Sequence, residues 1–287
     1  MRSLLFVPGD SERKFAKAIT TEADALILDL EDSVAKDRKV GARAIVRQLL
    51  ETHERTQKVF VRVNALDTGL TLDDICAVLP GRPDGIVLPK CVGAADIDRL
   101  ALYLDALEAA FHLPARSVSI IAIVTETAEA VLRLISFGAP HPRLWGIMWG
   151  AEDLAASLGA SGNRENGQYR SPFVLARDLC LMAAAAAGVV AIDTVATEID
   201  NLAALKDETI AARRDGFSAK ALIHPKQVEV VNTALSPTEE ELNFSRAIVE
   251  AFKKHPDAGV LNIEGRMVDV PHLRAAKRLL SLAERRK

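Results

Sequence analysis

Eight short, β-rich runs recur along this chain, each nearly continuous in apolar residues rather than alternating. They are "SLLFVPG" from Ser3, "ALILDLED" from Ala25, "KVFVRVN" from Lys58, "DGIVLPK" from Asp84, "SIIAIVTET" from Ser119, "LWGIMWGAED" from Leu144, "VVAIDTVAT" from Val189 and "AKALIHPK" from Ala219. Continuous apolarity marks parallel strands buried on both faces. Parallel neighbours need a crossover between them, and helical segments separate the runs. "AADIDRLALYLDALEAAFHL" repeats apolar residues at helical spacing, and "SPFVLARDLCLMAAAAAG" offers Ser171 as N-cap, Pro172 at the first helical position and Gly188 past the end. Eight strand–helix units in a 287-residue chain predict an α/β fold, a (β/α)8 TIM barrel over residues 1–235. A doubly wound open sheet is the alternative, but no Gly-rich phosphate turn follows the first run.

Residues 236–287 exceed what closing a barrel needs. "SPTEEELNFSRAIVEAFKKH" reads as a helix with a capping signature from Ser236 to Glu239, "GVLNIEGRMVDV" is hairpin-like, and a last helix starts near Pro271. The expectation is a C-terminal helical extension packing on the barrel or on a neighbouring subunit. "GASGNRENGQY", Gly- and Asn-rich, reads as a long polar loop after the sixth strand.

A net charge of −3 gives no electrostatic reason to expect nucleic acid or an anionic membrane surface. No apolar run approaches the roughly 20 residues that cross a bilayer. The start "MRSLLFVPGDSERK" has too short an apolar core for a signal peptide. Cys76, Cys91 and Cys180 are odd in number without CxxC spacing, which suits a reduced compartment. A cytoplasmic protein is expected.

Barrel chemistry sits at the C-terminal ends of the strands. Here those ends carry Asp29, Glu31 and Asp32, then Arg62 and Asn64, Lys90, Thr125 and Glu126, Glu152 and Asp153, Asp193 and Thr194, and His224. Acids outnumber bases, and hard carboxylate ligands completed by water and substrate describe a Mg²⁺ site. The six histidines show no HxxxH or HxH spacing, which argues against zinc. Lys90 suits either a Schiff base or pairing with phosphate or carboxylate. Arg62, inside "VFVRVN", needs a buried partner, and Glu31 and Asp32 are the candidates.

The ordered motifs "LLFVPGD", "LDLEDSVA", "VRVN", "LPK", "ETAEAV", "GAEDLAA", "AIDTV" and "IHPKQ" resemble the citrate lyase β-subunit-like proteins of the HpcH/HpaI aldolase superfamily. The resemblance runs from Leu4 to the last helix. It implies a (β/α)8 barrel, a homotrimer or hexamer, and Mg²⁺-dependent, reversible aldol-type (Claisen) cleavage of a malyl-CoA- or citramalyl-CoA-like thioester. It makes Glu126 and Asp153 the metal ligands and Arg62 the partner of the substrate carbonyl or enolate oxygen. It makes Asp269 a catalytic aspartate supplied by a neighbouring subunit, although Asp269 equally suits the cap of the helix near Pro271. Phe6, Arg13, Lys17, Lys39 and Arg43 match CoA-holding regions, and Ile223 and His224 a stretch along the pantetheine arm. Lys36, Lys39 and Arg43 are also spaced like a solvated helix face. Glu31 and Asp32 would orient Arg62 and water on the metal. Two departures, Ala196 where relatives carry an aromatic residue and Trp149 where Phe is usual, would reshape the acyl pocket. Other activities of the same fold are the β subunit of a citrate lyase complex, a malyl-CoA thioesterase, a malate synthase and an aldolase for free 2-oxo acids. A scaffold without catalysis is disfavoured by the intact set Arg62, Glu126 and Asp153.

Overall fold

All eight apolar runs become barrel strands. In the structure, a computed structural model describing residues 1–54 and 56–284, the strands are β1 (Ser3–Pro8), β2 (Ala25–Asp29), β3 (Lys58–Arg62), β4 (Gly85–Leu88), β5 (Ser119–Ile123) and β6 (Leu144–Met148). A short antiparallel hairpin, β7 (Arg164–Glu165) and β8 (Gln168–Tyr169), precedes β9 (Val190–Asp193) and β10 (Ala219–Leu222). The parallel barrel closes in the order β1-β10-β9-β6-β5-β4-β3-β2. The helices are α1 (Glu12–Ala18), α2 (Lys39–Thr52), α3 (Thr71–Val78), α4 (Ala94–Ala110), α5 (Ala128–Leu132), α6 (Glu152–Leu158), α7 (Ser171–Ala187), α8 (Leu202–Asp215) and α9 (Gln227–Ala234). Then come α10 (Glu239–Lys254), the hairpin β11 (Val260–Ile263) and β12 (Arg266–Asp269), and α11 (Val270–Glu284). No helix among the described residues is long and apolar enough to cross a membrane.

The chain divides into two compact units, Met1–Thr233 and Ala234–Lys287. Residues 285–287 of the expected extension lie outside the described residues. In the first unit the barrel interior is filled by one apolar cluster that includes Leu4, Ala25, Ile27, Phe60, Val87, Ile121, Ile123, Met148 and Ile192. Strand side chains alternate between faces. Asp29, two residues beyond Ile27, and Arg62, two beyond Phe60, therefore continue the interior columns at the C-terminal mouth. Their Cα atoms pair directly between β2 and β3.

The same alternation removes Asp193 from the mouth, where the sequence had placed it. Ile192 faces inward, so Asp193 faces the surrounding helices. There its Oδ2 lies 2.7 Å from Nζ of the fully buried Lys220, which also reaches Glu208 of α8 at 3.1 Å. Burial alone would raise the Asp193 carboxyl, but Lys220 and the Trp149 indole hold it below the usual carboxylate range. Trp149 follows the inward Met148, donates Nε1–H to Asp193 Oδ1 at 2.7 Å, and packs edge-on against Tyr169 with ring centroids 4.9 Å apart. Trp149 thus anchors the β7–β8 hairpin to the wall, on the side of β6 away from the barrel interior. That hairpin replaces the expected loop because "ENGQ" supplies an Asn-Gly pair, and Asn166 and Gly167 adopt φ of 50° and 79°.

In the second unit the capping box is Thr238 with Glu241, not Ser236 with Glu239. The segment holds two S/T-x-x-E matches, and the helix starts at the later one. The expected hairpin turns at Glu264 and Gly265, with φ of 51° and 79°. Ile248, Phe252, Ile263, Val268 and Ala276 form this unit's own core.

Candidate active site

At the barrel mouth Asp29, only 1% exposed, accepts two parallel hydrogen bonds from Arg62, Nε to Oδ1 and Nη2 to Oδ2, each 2.7 Å. The Glu31 and Ser33 amides donate to the same carboxylate at 2.9 and 3.1 Å. Burial would raise the Asp29 carboxyl, yet Arg62 and these donors hold it below its ordinary value. The Arg62 guanidinium lies over the Phe6 ring at 4.9 Å, and its Nη1 is 2.8 Å from Glu31 Oε2 and 4.0 Å from Asp32 Oδ2. Its bidentate partner is thus Asp29, which the sequence reading left out of the site. Glu31 takes the remaining edge and Asp32 stands further off. Fixed on two sides by carboxylates, Arg62 stays protonated and cannot swing.

Lys90 follows β4 through Pro89. Its amide donates to Glu126 Oε2, and its ammonium pairs with Glu31 Oε1, 3.4 Å from Asp153 Oδ1 and 3.5 Å from Asp32 Oδ2. Burial alone would lower its pKa, but Glu31, Glu126 and Asp153 raise it above the usual lysine value. An ammonium so paired is a poor amine nucleophile, which argues for carboxylate pairing over a Schiff base.

Glu126 follows β5 and is 3% exposed. Gly150 lets it sit there, since a Cβ at Gly150 would come within 2.9 Å of Glu126 Cγ. Burial pushes the Glu126 carboxyl up to about 8, against the Lys90 amide, and Asp153 and Glu31 add to the rise. Asp153 lies in the first turn of α6. The Glu31 carboxyl is also raised by burial, with Asp32 adding to it, against Arg62 and Lys90. Glu31 Oε2 is buried and makes no hydrogen bond among the described residues, because Arg62 Nη1 approaches it as a charge outside hydrogen-bonding geometry. Crowded, desolvated carboxylates with a spare lone pair fit a cation. No group of three or more His, Cys, Asp or Glu that could hold a metal occurs among the described residues. A pair of carboxylates suffices for Mg²⁺, which takes one or two and fills its shell with water and substrate oxygen.

Beside this cluster Phe6, Arg13, Lys17, Ile223 and His224 line one cleft of about 550 Å³, joined by Lys14. The sequence reading named the first five and missed Lys14, a neighbour on α1. Burial lowers the His224 pKa, helped by the charges of Lys17 and Lys226. Lys39 and Arg43, grouped in the sequence reading with the CoA-facing cations, do not line this cleft. Lys39 Nζ donates to the carbonyls of Leu30 and Glu31 at 2.8 and 2.9 Å. Arg43 Nε donates to the buried Asp74 at 2.7 Å, and Asp74 Oδ2 in turn accepts from Asn64 N and Nδ2 at 2.8 and 2.6 Å. These two cations brace the segments that follow β2 and β3, Lys39 through the Leu30 and Glu31 carbonyls and Arg43 through Asp74. Asp269, in the second unit, accepts the His272 amide at 3.4 Å, and its Oδ1 lies 2.5 Å from His272 Nδ1. The hydrogen bond with His272 holds its carboxyl below the usual value.

A family model described as HpcH/HpaI aldolase/citrate lyase matches residues 2–225. A protein of Cereibacter sphaeroides named (3S)-malyl-CoA thioesterase is 35% identical over 290 residues, covering 99% of this chain and 94% of the relative. The citrate lyase subunit beta of Escherichia coli is 34% identical, with 99% and 93% covered. The crystal structure of CitE from Mycobacterium tuberculosis, in complex with magnesium, acetoacetate and coenzyme A, superposes with a TM-score of 0.79. It is 35% identical, and the match covers 98% of this chain and 97% of that one.

Proposed function

The chain belongs to the HpcH/HpaI aldolase/citrate lyase family, and on that premise we propose that it is a magnesium-dependent carbon–carbon lyase acting on a CoA thioester. It cleaves a malyl-CoA- or citramalyl-CoA-like 3-hydroxyacyl-CoA reversibly to an acyl-CoA and a 2-oxo acid. The observation that carries this reading is Phe6. It lines the cationic cleft and lies beneath the Arg62 guanidinium, so a ligand in the cleft reaches the carboxylate cluster. Arg13, Lys14 and Lys17 supply the charge that the several phosphates of a nucleotide need, three cations where the single carboxylate of a free 2-oxo acid would occupy one. The relative crystallised with magnesium and coenzyme A supports both parts of the ligand.

Glu126 and Asp153 would hold Mg²⁺, which supplies Lewis-acid polarisation of the hydroxy acid's oxygens. Asp269, contributed by a neighbouring copy in a homotrimer or hexamer, accepts the hydroxyl proton as general base. The C–C bond breaks, the hydroxyl carbon becomes the carbonyl of the oxo acid, and the bonding pair passes to the thioester as an enolate. Arg62, locked by Asp29 and Glu31, offers positive charge where the enolate oxygen develops and needs no reorganisation to do so. Protonation of the enolate carbon gives the acyl-CoA. Hydrolysis of the thioester is the second reading, favoured by the relative named (3S)-malyl-CoA thioesterase.

The double variant Arg13→Ala/Lys17→Ala tests the CoA cleft. KM for the CoA thioester should rise at least about tenfold, as loss of charge-assisted contacts would give, with kcat little changed. An unchanged KM sinks the placing of CoA in this cleft.

A further inference from the structure

The proposed chemistry leaves Lys90 unused, and its backbone singles it out. Its φ is 49°, in the left-handed region that a non-glycine residue enters only under backbone strain. Such strain persists where the surroundings require it. Here it places two groups at once. The amide reaches the buried Glu126 carboxylate, and the ammonium reaches Glu31, Asp32 and Asp153. Lys90 touches both members of the Glu126–Asp153 pair.

We infer that Lys90 sets the divalent-ion affinity of this site, by placing a fixed positive charge among Glu31, Asp32, Glu126 and Asp153. The inference rests on the reading of Glu126 and Asp153 as the metal ligands. Two ligand carboxylates with Glu31 and Asp32 close by make a strongly negative site, which would attract a divalent ion whether or not substrate is present. An ammonium 3.4 Å from Asp153 Oδ1 opposes a doubly charged ion at the same oxygen. Even at the dielectric of water, charges about 4 Å apart repel appreciably, and a divalent ion doubles the repulsion. The consequence is an ion held weakly by protein alone, which binds firmly only when the substrate's own oxygens complete its shell. Lys90 therefore couples metal entry to substrate entry.

Calorimetric titration of MgCl₂ alone into the metal-free full chain tests this, using the wild type, Lys90→Met, Lys90→Gly, Lys90→Arg and Glu126→Ala. Lys90→Gly keeps the amide that serves Glu126 and suits the left-handed φ, so it removes charge without backbone strain. Both neutral variants should bind Mg²⁺ on the order of tenfold tighter than wild type. Lys90→Arg should bind like wild type, and Glu126→Ala should not bind. Equal or weaker binding by both neutral variants, with Glu126→Ala inactive in binding, overturns the role of Lys90 and leaves the metal site standing. Full binding by Glu126→Ala overturns the metal assignment itself, and the inference with it. If Lys90→Met is poorly folded, the Lys90→Gly titration decides alone.

Discussion

Glu126→Ala is expected to lose both magnesium binding and all magnesium-dependent turnover. The carboxylate lost is nearly fully buried, and Gly150 packs against its Cγ, so no water-exposed group can take its place. Its removal also leaves the Lys90 amide without its acceptor. Glu126→Gln separates these effects. It keeps the volume and an acceptor for the amide but removes the charge, so the fold should survive while magnesium affinity falls at least about a hundredfold, as loss of one of two charged ligands of a divalent ion implies. Asp153→Ala should behave alike. A protonic signature accompanies the binding. With Glu126 pushed up to about 8, the carboxyl is largely protonated at pH 7 and the ion must displace that proton. Calorimetry at pH 7 in two buffers of different ionisation heat should show proton release, and affinity should rise as pH climbs through 8 and level off above it. Turnover of Glu126→Gln equal to wild type contradicts the assignment.

Asp269→Asn is expected to lower turnover by about 10²–10⁴-fold, the range for loss of a general base, with magnesium binding unchanged. The substitution isolates chemistry from structure. Asp269 accepts the His272 amide at the start of α11, and Asn caps helices about as well as Asp, so α11 should hold. A loss of turnover without loss of helix content therefore assigns the base, whereas unchanged turnover leaves Asp269 only the cap. Mixing inactive Asp269→Asn chains with inactive Glu126→Gln chains makes a stronger test. If the base acts on a neighbour's site, hybrid oligomers regain part of the activity; if it acts within its own chain, they regain none.

The barrel was legible because its strands are buried on both faces, which writes each of them as a continuous apolar run. The mouth was legible only in part. Residue types at strand ends brought Arg62, Glu126 and Asp153 into view. They could not show which side of a strand faces inward until the interior column was known. Counting by twos from Ile27 and from Ile192 would have put Asp29 in the site and Asp193 outside it. The structural contacts of Lys39 and Arg43 were not legible, because a cation that binds phosphate and one that satisfies buried carbonyls or Asp74 look the same in sequence. The hairpin at Asn166–Gly167 was readable from its Asn-Gly pair and was passed over as a loop. Lys90 was not readable, because nothing in "LPKC" announces a left-handed residue. Its role depends on the Glu126 carboxylate that the turn brings to its amide.

The central claim is carbon–carbon cleavage of a CoA thioester. The purified protein is incubated with malyl-CoA and, separately, with citramalyl-CoA, in Mg²⁺ or in EDTA, and the products are identified by mass spectrometry. An acyl-CoA together with glyoxylate or pyruvate is expected from at least one of the two substrates, in Mg²⁺ only. Free CoA with intact malate or citramalate, or no product from either thioester, would contradict it.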